Sequence, residues 1–179
     1  MERKTAFIGH RRVCFIEKVK ERLQNAIEEC INDGCSHFLM GTHGEFDKMA
    51  LDACRSARKR YPNIKIEVVL TSYHTIDKKY DIDYVPYQDV QTVMFDIEDL
   101  HFKLQITESN RQMINECDTL ICYVDKKQNP SGAKTTMNYA KRKGLNIINI
   151  FDEKDDPTFG MSKQESQEYW DKLFQNIKK

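Results

Sequence analysis

The sequence predicts an α/β fold: a Rossmann-like, three-layer domain with a mainly parallel five-stranded sheet and helices on both faces. Short apolar runs alternate with segments whose apolar residues recur at helical spacing. Glycines close several of these segments, at Gly9, Gly34, Gly41 and Gly144. No internal repeat or low-complexity stretch interrupts the alternation. Strands that alternate with helices imply a parallel sheet covered on both sides. Right-handed crossovers then bring the C-terminal ends of the strands to one edge.

Each element has its own warrant. Thr5-Ala6-Phe7-Ile8, ending in Gly9, reads as the first strand. Ile16, Val19, Leu23, Ala26, Ile27, Cys30 and Ile31 then mark a helix, closed by Gly34 in the C-terminal cap position. His37-Phe38-Leu39-Met40 is the second strand. Ala50, Cys54, Ala57 and Tyr61 line one face of a helix that Pro62 stops. Ile64 to Leu70 is a β-branched third strand. Residues 72–105, rich in Tyr and Asp, lack a clean period and read as a long irregular connection, of the kind that is either functional or mobile. Helical spacing resumes at Ile106, Met113, Ile114 and Cys117. Thr119 to Val124 is the fourth strand. Ala133, Met137 and Ala140 open another helix, with Lys141-Arg142-Lys143 in its last turn and Gly144 beyond. Asn146 to Ile150 is the fifth strand. Ser162 and Glu165 have capping-box spacing. Tyr169, Trp170, Leu173, Phe174 and Ile177 give the terminal helix an apolar face that must cover the sheet or a second subunit.

Composition narrows the function. The chain has 179 residues, 40% hydrophobic and 31% charged, which suits one folded domain with a sizeable core. The whole chain, 1–179, is read as that domain, with a core over 5–150 and a C-terminal helical extension over 151–179. Lys+Arg and Asp+Glu balance at 28 each, so no basic excess points to nucleic acid. No apolar run is long enough to span a membrane, and the apolar run after Met1-Glu2-Arg3-Lys4 is too short for a signal peptide. A cytoplasmic location is expected. The six cysteines, with no CxxC pair, then read as reduced thiols, and no zinc is expected.

The unusual polar residues fall just beyond strand ends. These are Gly9-His10-Arg11, then Gly41-Thr42-His43-Gly44-Glu45-Phe46-Asp47, then Asp125 and Pro130-Ser131-Gly132-Ala133-Lys134-Thr135. In open α/β sheets the ligand crevice lies outside the carboxyl ends of the strands. Glycines let backbone N–H groups approach an anion, helix N-termini add partial positive charge, and Arg11 and Lys134 supply full charges. The chemistry fits phosphate. Each residue also has a plainer role. Asp47 suits a helix N-cap. His43 and Glu45 are spaced as alternate metal ligands but lack a convincing third, so no metal is expected. His37 reads as structural. Tyr73 and His74 either flank a ligand or cover the sheet edge. Asp152, Glu153, Asp155 and Asp156 read as a solvated loop. Glu45 is the candidate catalytic carboxylate, able to attack or deprotonate at a sugar C1′.

These loops resemble the SLOG superfamily, which joins the DNA-processing protein DprA to the Lonely Guy phosphoribohydrolases. They are similar in particular to its small stand-alone bacterial branch, the YpsA/YoqJ-like proteins. The likeness rests on "AFIGHR" (Ala6 to Arg11), "HFLMGTHGEFDKMAL" (His37 to Leu51) and "YPNIKIEVVL" (Tyr61 to Leu70). It continues through "ITESNRQMINECDTLICYV" (Ile106 to Val124) and "SGAKTTMNYAKRKGLNIINI" (Ser131 to Ile150). The resemblance implies a Rossmann-like sheet and a site for a nucleotide or its derivative. It implies Gly9, His10, Arg11, Gly41, Gly44, Glu45, Asp47, Asn110, Arg111, Ser131, Gly132 and Thr135 as lining residues. The phosphoribohydrolases carry a PGGxGTxxE motif with a catalytic glutamate. Here Asn138 takes the place of that glutamate, in a run that starts at Pro130. An amide is neither a general base nor a carboxylate nucleophile.

The expected function is therefore a nucleotide-binding sensor or sequestering module, with no cofactor, no membrane partner and self-association left open. The alternative is an N-glycosidic hydrolase or deoxyribosyltransferase-like enzyme with Glu45 as its carboxylate. A structural protein with an empty crevice is the third option.

Overall fold

In this computed structural model the described residues are 2–71, 87–97 and 99–177. Strands β1 (Arg3–Gly9), β2 (Cys35–Met40), β3 (Lys65–Leu70), β4 (Gln91–Met94), β5 (Thr119–Tyr123) and β6 (Asn146–Asn149) form one sheet. The order is β4-β3-β2-β1-β5-β6, with every pair parallel. Among the described residues the helices are α1 (Ile16–Asn32), α2 (Glu45–Arg58), α3 (Phe102–Asn115), α4 (Gly132–Lys143) and α5 (Lys163–Ile177). The three-layer α/β expectation holds.

Among the described residues the sheet has six strands, not five. The sixth is β4, which lies inside the stretch read as irregular and pairs with β3 from Glu67↔Gln91 to Leu70↔Met94. It is a four-residue edge strand with Gln91 and Thr92 exposed. Paired on one side only, it needs no apolar run, so the sequence carries no strand signature there.

Alternation of side chains along each strand builds two cores. Phe7, Phe38, Met40, Ile66 and Val68 pack with α1 and α2 through Leu23, Ile27, Phe46 and Cys54. Ala6, Ile8, Leu39, Val69, Leu120 and Cys122 pack on the other face, against Met113 and Ile114 of α3 and Met137 and Ala140 of α4. His37 is buried in β2 with its Nε2 2.7 Å from a Glu67 carboxylate oxygen. All six cysteines are free thiols.

The predicted caps form. Gly34 and Gly144 take positive φ at the ends of α1 and α4. Ser162 N–H donates to Glu165 Oε2 at 2.7 Å, and Glu165 N–H donates to Ser162 Oγ at 3.3 Å, which closes the capping box before α5. Tyr169 and Trp170 are half-buried and meet edge to face at 5.3 Å. The expectations for Tyr73 and His74, and for the side chains of Leu173, Phe174 and Ile177, lie outside the described residues. Among the described residues no helix is long and apolar enough to cross a membrane.

One topological feature positions the site. From β1 the chain runs outward to β2, β3 and β4, then returns to β5 on the other side of β1. The reversal leaves a crevice at the C-terminal ends of β1 and β5, the usual ligand position in such sheets.

Candidate functional site

The β1–α1 loop and the start of α2 are clasped together. Glu45 N–H donates to the Arg11 carbonyl at 2.9 Å, and Val13 N–H donates to Glu45 Oε2 at 2.8 Å. Glycine makes the approach possible. A Cβ on Gly9 would lie 2.4 Å from the buried Phe46 ring, and one on Gly44 would lie 3.0 Å from the Arg11 Cα.

Asp47 is not the N-cap of α2, as its position suggested; Gly44 is. Asp47 sits within the first turn and reaches back. Its Oδ2 accepts from the His43 N–H at 2.8 Å, and the Gly44 N–H also bonds the carboxylate. Burial pushes its carboxyl up to about 6, against the pull of those two N–H groups. With Glu45 and Asp47 both in its first turn, this helix start is already supplied with negative charge.

His10 joins β1 to β5. Its N–H donates to the Tyr123 carbonyl at 3.1 Å, and its Nε2 accepts from the Asp125 N–H at 2.8 Å. An accepting Nε2 places the proton of the neutral ring on Nδ1. Burial holds His10 below the ordinary imidazole range, with the Asp125 carboxylate opposing. Burial and then the Arg11 charge lower His43 likewise, and its Nε2 lies 3.0 Å from Thr71 Oγ1. Beneath them Tyr123 stacks on Phe46 at 5.9 Å and meets Phe151 edge-on at 5.2 Å. Burial pushes the Tyr123 phenol up to about 12, so it stays neutral.

The start of α4 differs from that of α2. Ser131 caps it by accepting the Lys134 N–H at 3.1 Å, and the first turn holds no acidic residue. Gly132 and Ala133 are the first two helical residues, so their N–H groups have no helical partner. Both line the crevice.

These elements enclose a cavity of about 830 Å³. Of the residues picked from sequence, Gly9, His10, Arg11, His43, Gly44, Asp47, Asn110, Ser131 and Gly132 are on its wall. Gly41, Thr42, Glu45, Arg111, Lys134 and Thr135 are not. Their local contacts differ. Gly41 lies against the Asp47 carboxylate. The Arg111 guanidinium lies 5.8 Å from the Tyr139 ring and 3.6 Å from Glu108. Lys134 Nζ donates to Asn129 Oδ1 at 3.0 Å, and Thr135 Oγ1 donates to the Ser131 carbonyl at 3.0 Å. Asn138 is exposed and off the wall.

Sequence reasoning missed Arg12, Cys14, Tyr123, Lys127 and Gln128, and the whole contribution of the C-terminal segment. Arg12 follows Arg11 directly and was the legible one. The reading of Asp152, Glu153, Asp155 and Asp156 as a solvated loop needs correction at Asp155; the other three are exposed. Asp155 is 2% exposed and ion-paired with Arg22 of α1. With Asp152 it forms a capping box around a 3₁₀ turn at Glu153–Asp155, and Asp155, Asp156 and Pro157 line the cavity.

The family model YpsA, described as the YspA SLOG family, matches residues 10–154. No curated protein matches the chain.

Proposed function

The chain belongs to the YpsA (YspA SLOG) family, and from that premise we propose that it binds a nucleotide or a nucleotide derivative, as a sensor or a sequestering module. The observation that carries this reading is the 830 Å³ cavity at the topological switch point between β1 and β5. Its size suits a nucleotide, and its walls are chemically divided. The phosphate lies at the first turn of α4, where the Gly132 and Ala133 N–H groups and the helix dipole meet the cations Arg11 and Arg12. The competing helix start, that of α2, carries its own carboxylates and repels an anion. Asn110 and the Ser131 loop close the sides.

Two placements favour binding over chemistry at C1′. The Glu45 carboxylate accepts the Val13 N–H, and Glu45 is not among the residues on the cavity wall. Asn138 stands where the resembling hydrolases have their glutamate.

Native mass spectrometry of protein purified from its host tests the reading. A co-purifying species with the mass of a nucleotide or its derivative is the expected result. Calorimetry then compares a nucleotide with its own nucleoside. Equal affinity for the two would remove the phosphate argument.

A further inference from the structure

The cavity has a second wall of different chemistry. Phe151, Asp155, Asp156, Pro157 and Trp170 reach it from the C-terminal segment. All but Phe151 lie beyond residue 154, where the family match ends. The α4 side offers N–H donors and positive charge. This side offers aromatic side chains and carboxylate groups.

The wall is fixed in place. Asp155 is buried, pairs with Arg22 and accepts the Asp152 N–H at 3.1 Å, so its charge is already satisfied. Phe151 is held edge-on to Tyr123, and Trp170 edge-on to Tyr169. Asp156 is exposed to the cavity. Thr158 donates to it twice, from N at 2.8 Å and from Oγ1 at 2.7 Å, and both bonds land on Oδ1. Among the described residues nothing donates to Oδ2.

We infer that this wall recognises the base. A heteroaromatic ring lies against Trp170 and Phe151, and Asp156 accepts a hydrogen bond from an exocyclic amino group. The inference rests on the nucleotide reading above and adds the class of base to it: one bearing an amino group, over hypoxanthine or uracil. A carboxylate is an acceptor only. It gains a charge-assisted bond from an amino group and repels a carbonyl oxygen. Aromatic faces, by contrast, accept any base. Trp170 therefore supplies affinity and Asp156 supplies choice. Arg22 is a positioning residue: it touches no ligand and holds the wall through Asp155.

Calorimetry of the full chain with AMP, GMP, IMP and ribose 5-phosphate tests this. IMP carries a carbonyl where AMP carries its amino group, and lacks the 2-amino group of GMP. Wild-type protein should bind AMP or GMP at least about tenfold more tightly than IMP. Asp156→Asn should bring that ratio within about threefold, because an amide both donates and accepts. Trp170→Ala should weaken all three nucleotides about tenfold and leave ribose 5-phosphate unchanged. Arg22→Met should lower the ratio and Arg22→Lys restore part of it, again with ribose 5-phosphate unchanged. Wild-type affinities equal for all three nucleotides would overturn the amino-group inference. Unchanged nucleotide affinities in Asp156→Asn and Trp170→Ala would overturn the wall while leaving the nucleotide site standing. Binding of neither the nucleotides nor ribose 5-phosphate would bring down both.

Discussion

The Glu45 carboxylate accepts a 2.8 Å hydrogen bond from the Val13 N–H, while the Glu45 N–H donates to the Arg11 carbonyl. This reciprocal pair holds the loop that carries Arg11 and Arg12 against the start of α2. Glu45 thus shapes the cavity from outside it. Glu45→Ala should cost about 1 kcal/mol of stability and loosen nucleotide binding. Glu45→Gln should do neither to the same degree, because its amide oxygen still accepts from Val13. With nucleoside monophosphates neither wild-type nor variant protein should release free base. Chromatographic detection of enzyme-dependent base, lost in Glu45→Gln and indifferent to Asn138→Ala, would make the protein an enzyme instead.

Asp47 predicts a pH dependence. Its carboxyl is raised from an ordinary 3.8 to about 6 by burial. The folded state then binds more protons than the unfolded state between those values. Stability therefore falls as pH rises from about 4 to about 6 and is level above, a loss of roughly 2–3 kcal/mol from this group. His10 and His43 act with opposite sign: their values are depressed, so their contribution is lost as pH falls below the ordinary imidazole range. The difference between wild-type protein and Asp47→Asn isolates the carboxyl. Urea unfolding should show the variant gaining on wild type from pH 4 to pH 6. A constant difference across that range would refute the assignment.

Much of the fold was legible because buried parallel strands leave continuous apolar runs, as in Ile64 to Leu70 and Thr119 to Val124. β4 was not, because an edge strand with two exposed residues has nothing to bury. The glycines at 9, 41 and 44 did mark close approaches of backbone. What approaches them is Phe46, Asp47 and Arg11, and spacing alone does not distinguish those from a phosphate. The burial of Asp155 depends on Arg22, which precedes it by 133 residues, and no local pattern reports such a pairing. The same limit hid Trp170: the spacing marks a helix there, but not the cavity that Trp170 meets.

Arg11 supplies the test of the anion site. Arg11 lines the same cavity as the start of α4, so under the nucleotide reading Arg11→Ala should weaken nucleotide binding by about 1.5–3 kcal/mol. Affinity for the matching nucleoside should not change. Calorimetry on the pair separates lost charge from lost shape, and equal losses for both ligands would point to shape.

Phe15 adopts the left-handed region at φ 50 and ψ 52, at the N-cap of α1, with no side-chain cap bond. A bulky aromatic residue there is strained by about 1–2 kcal/mol. The ring is 48% exposed, so little burial offsets that strain. Phe15→Gly should raise the melting temperature. A lower melting temperature would mean that the Phe15 ring, with Lys18 5.6 Å from its centroid, matters more than the backbone.

Gly9 and Gly132 are both on the cavity wall, and the structure assigns them opposite sensitivities. A Cβ on Gly9 collides with the Phe46 ring, which is fully buried between α2 and the sheet and has nowhere to move. Gly9→Ala should therefore cost about 2 kcal/mol or more of stability, through overpacking. A Cβ on Gly132 meets nothing within 4 Å. Gly132 is the first residue of α4, where alanine is the better helix former, so Gly132→Ala should leave stability unchanged or raise it by up to about 1 kcal/mol. The same methyl stands at the helix start assigned to the phosphate and hinders its approach to the N–H groups. Gly132→Ala should accordingly weaken nucleotide binding in a protein that is fully folded. Denaturant unfolding and calorimetry on both variants check the pair. A Gly132→Ala protein with normal stability and normal nucleotide affinity would place the phosphate away from α4.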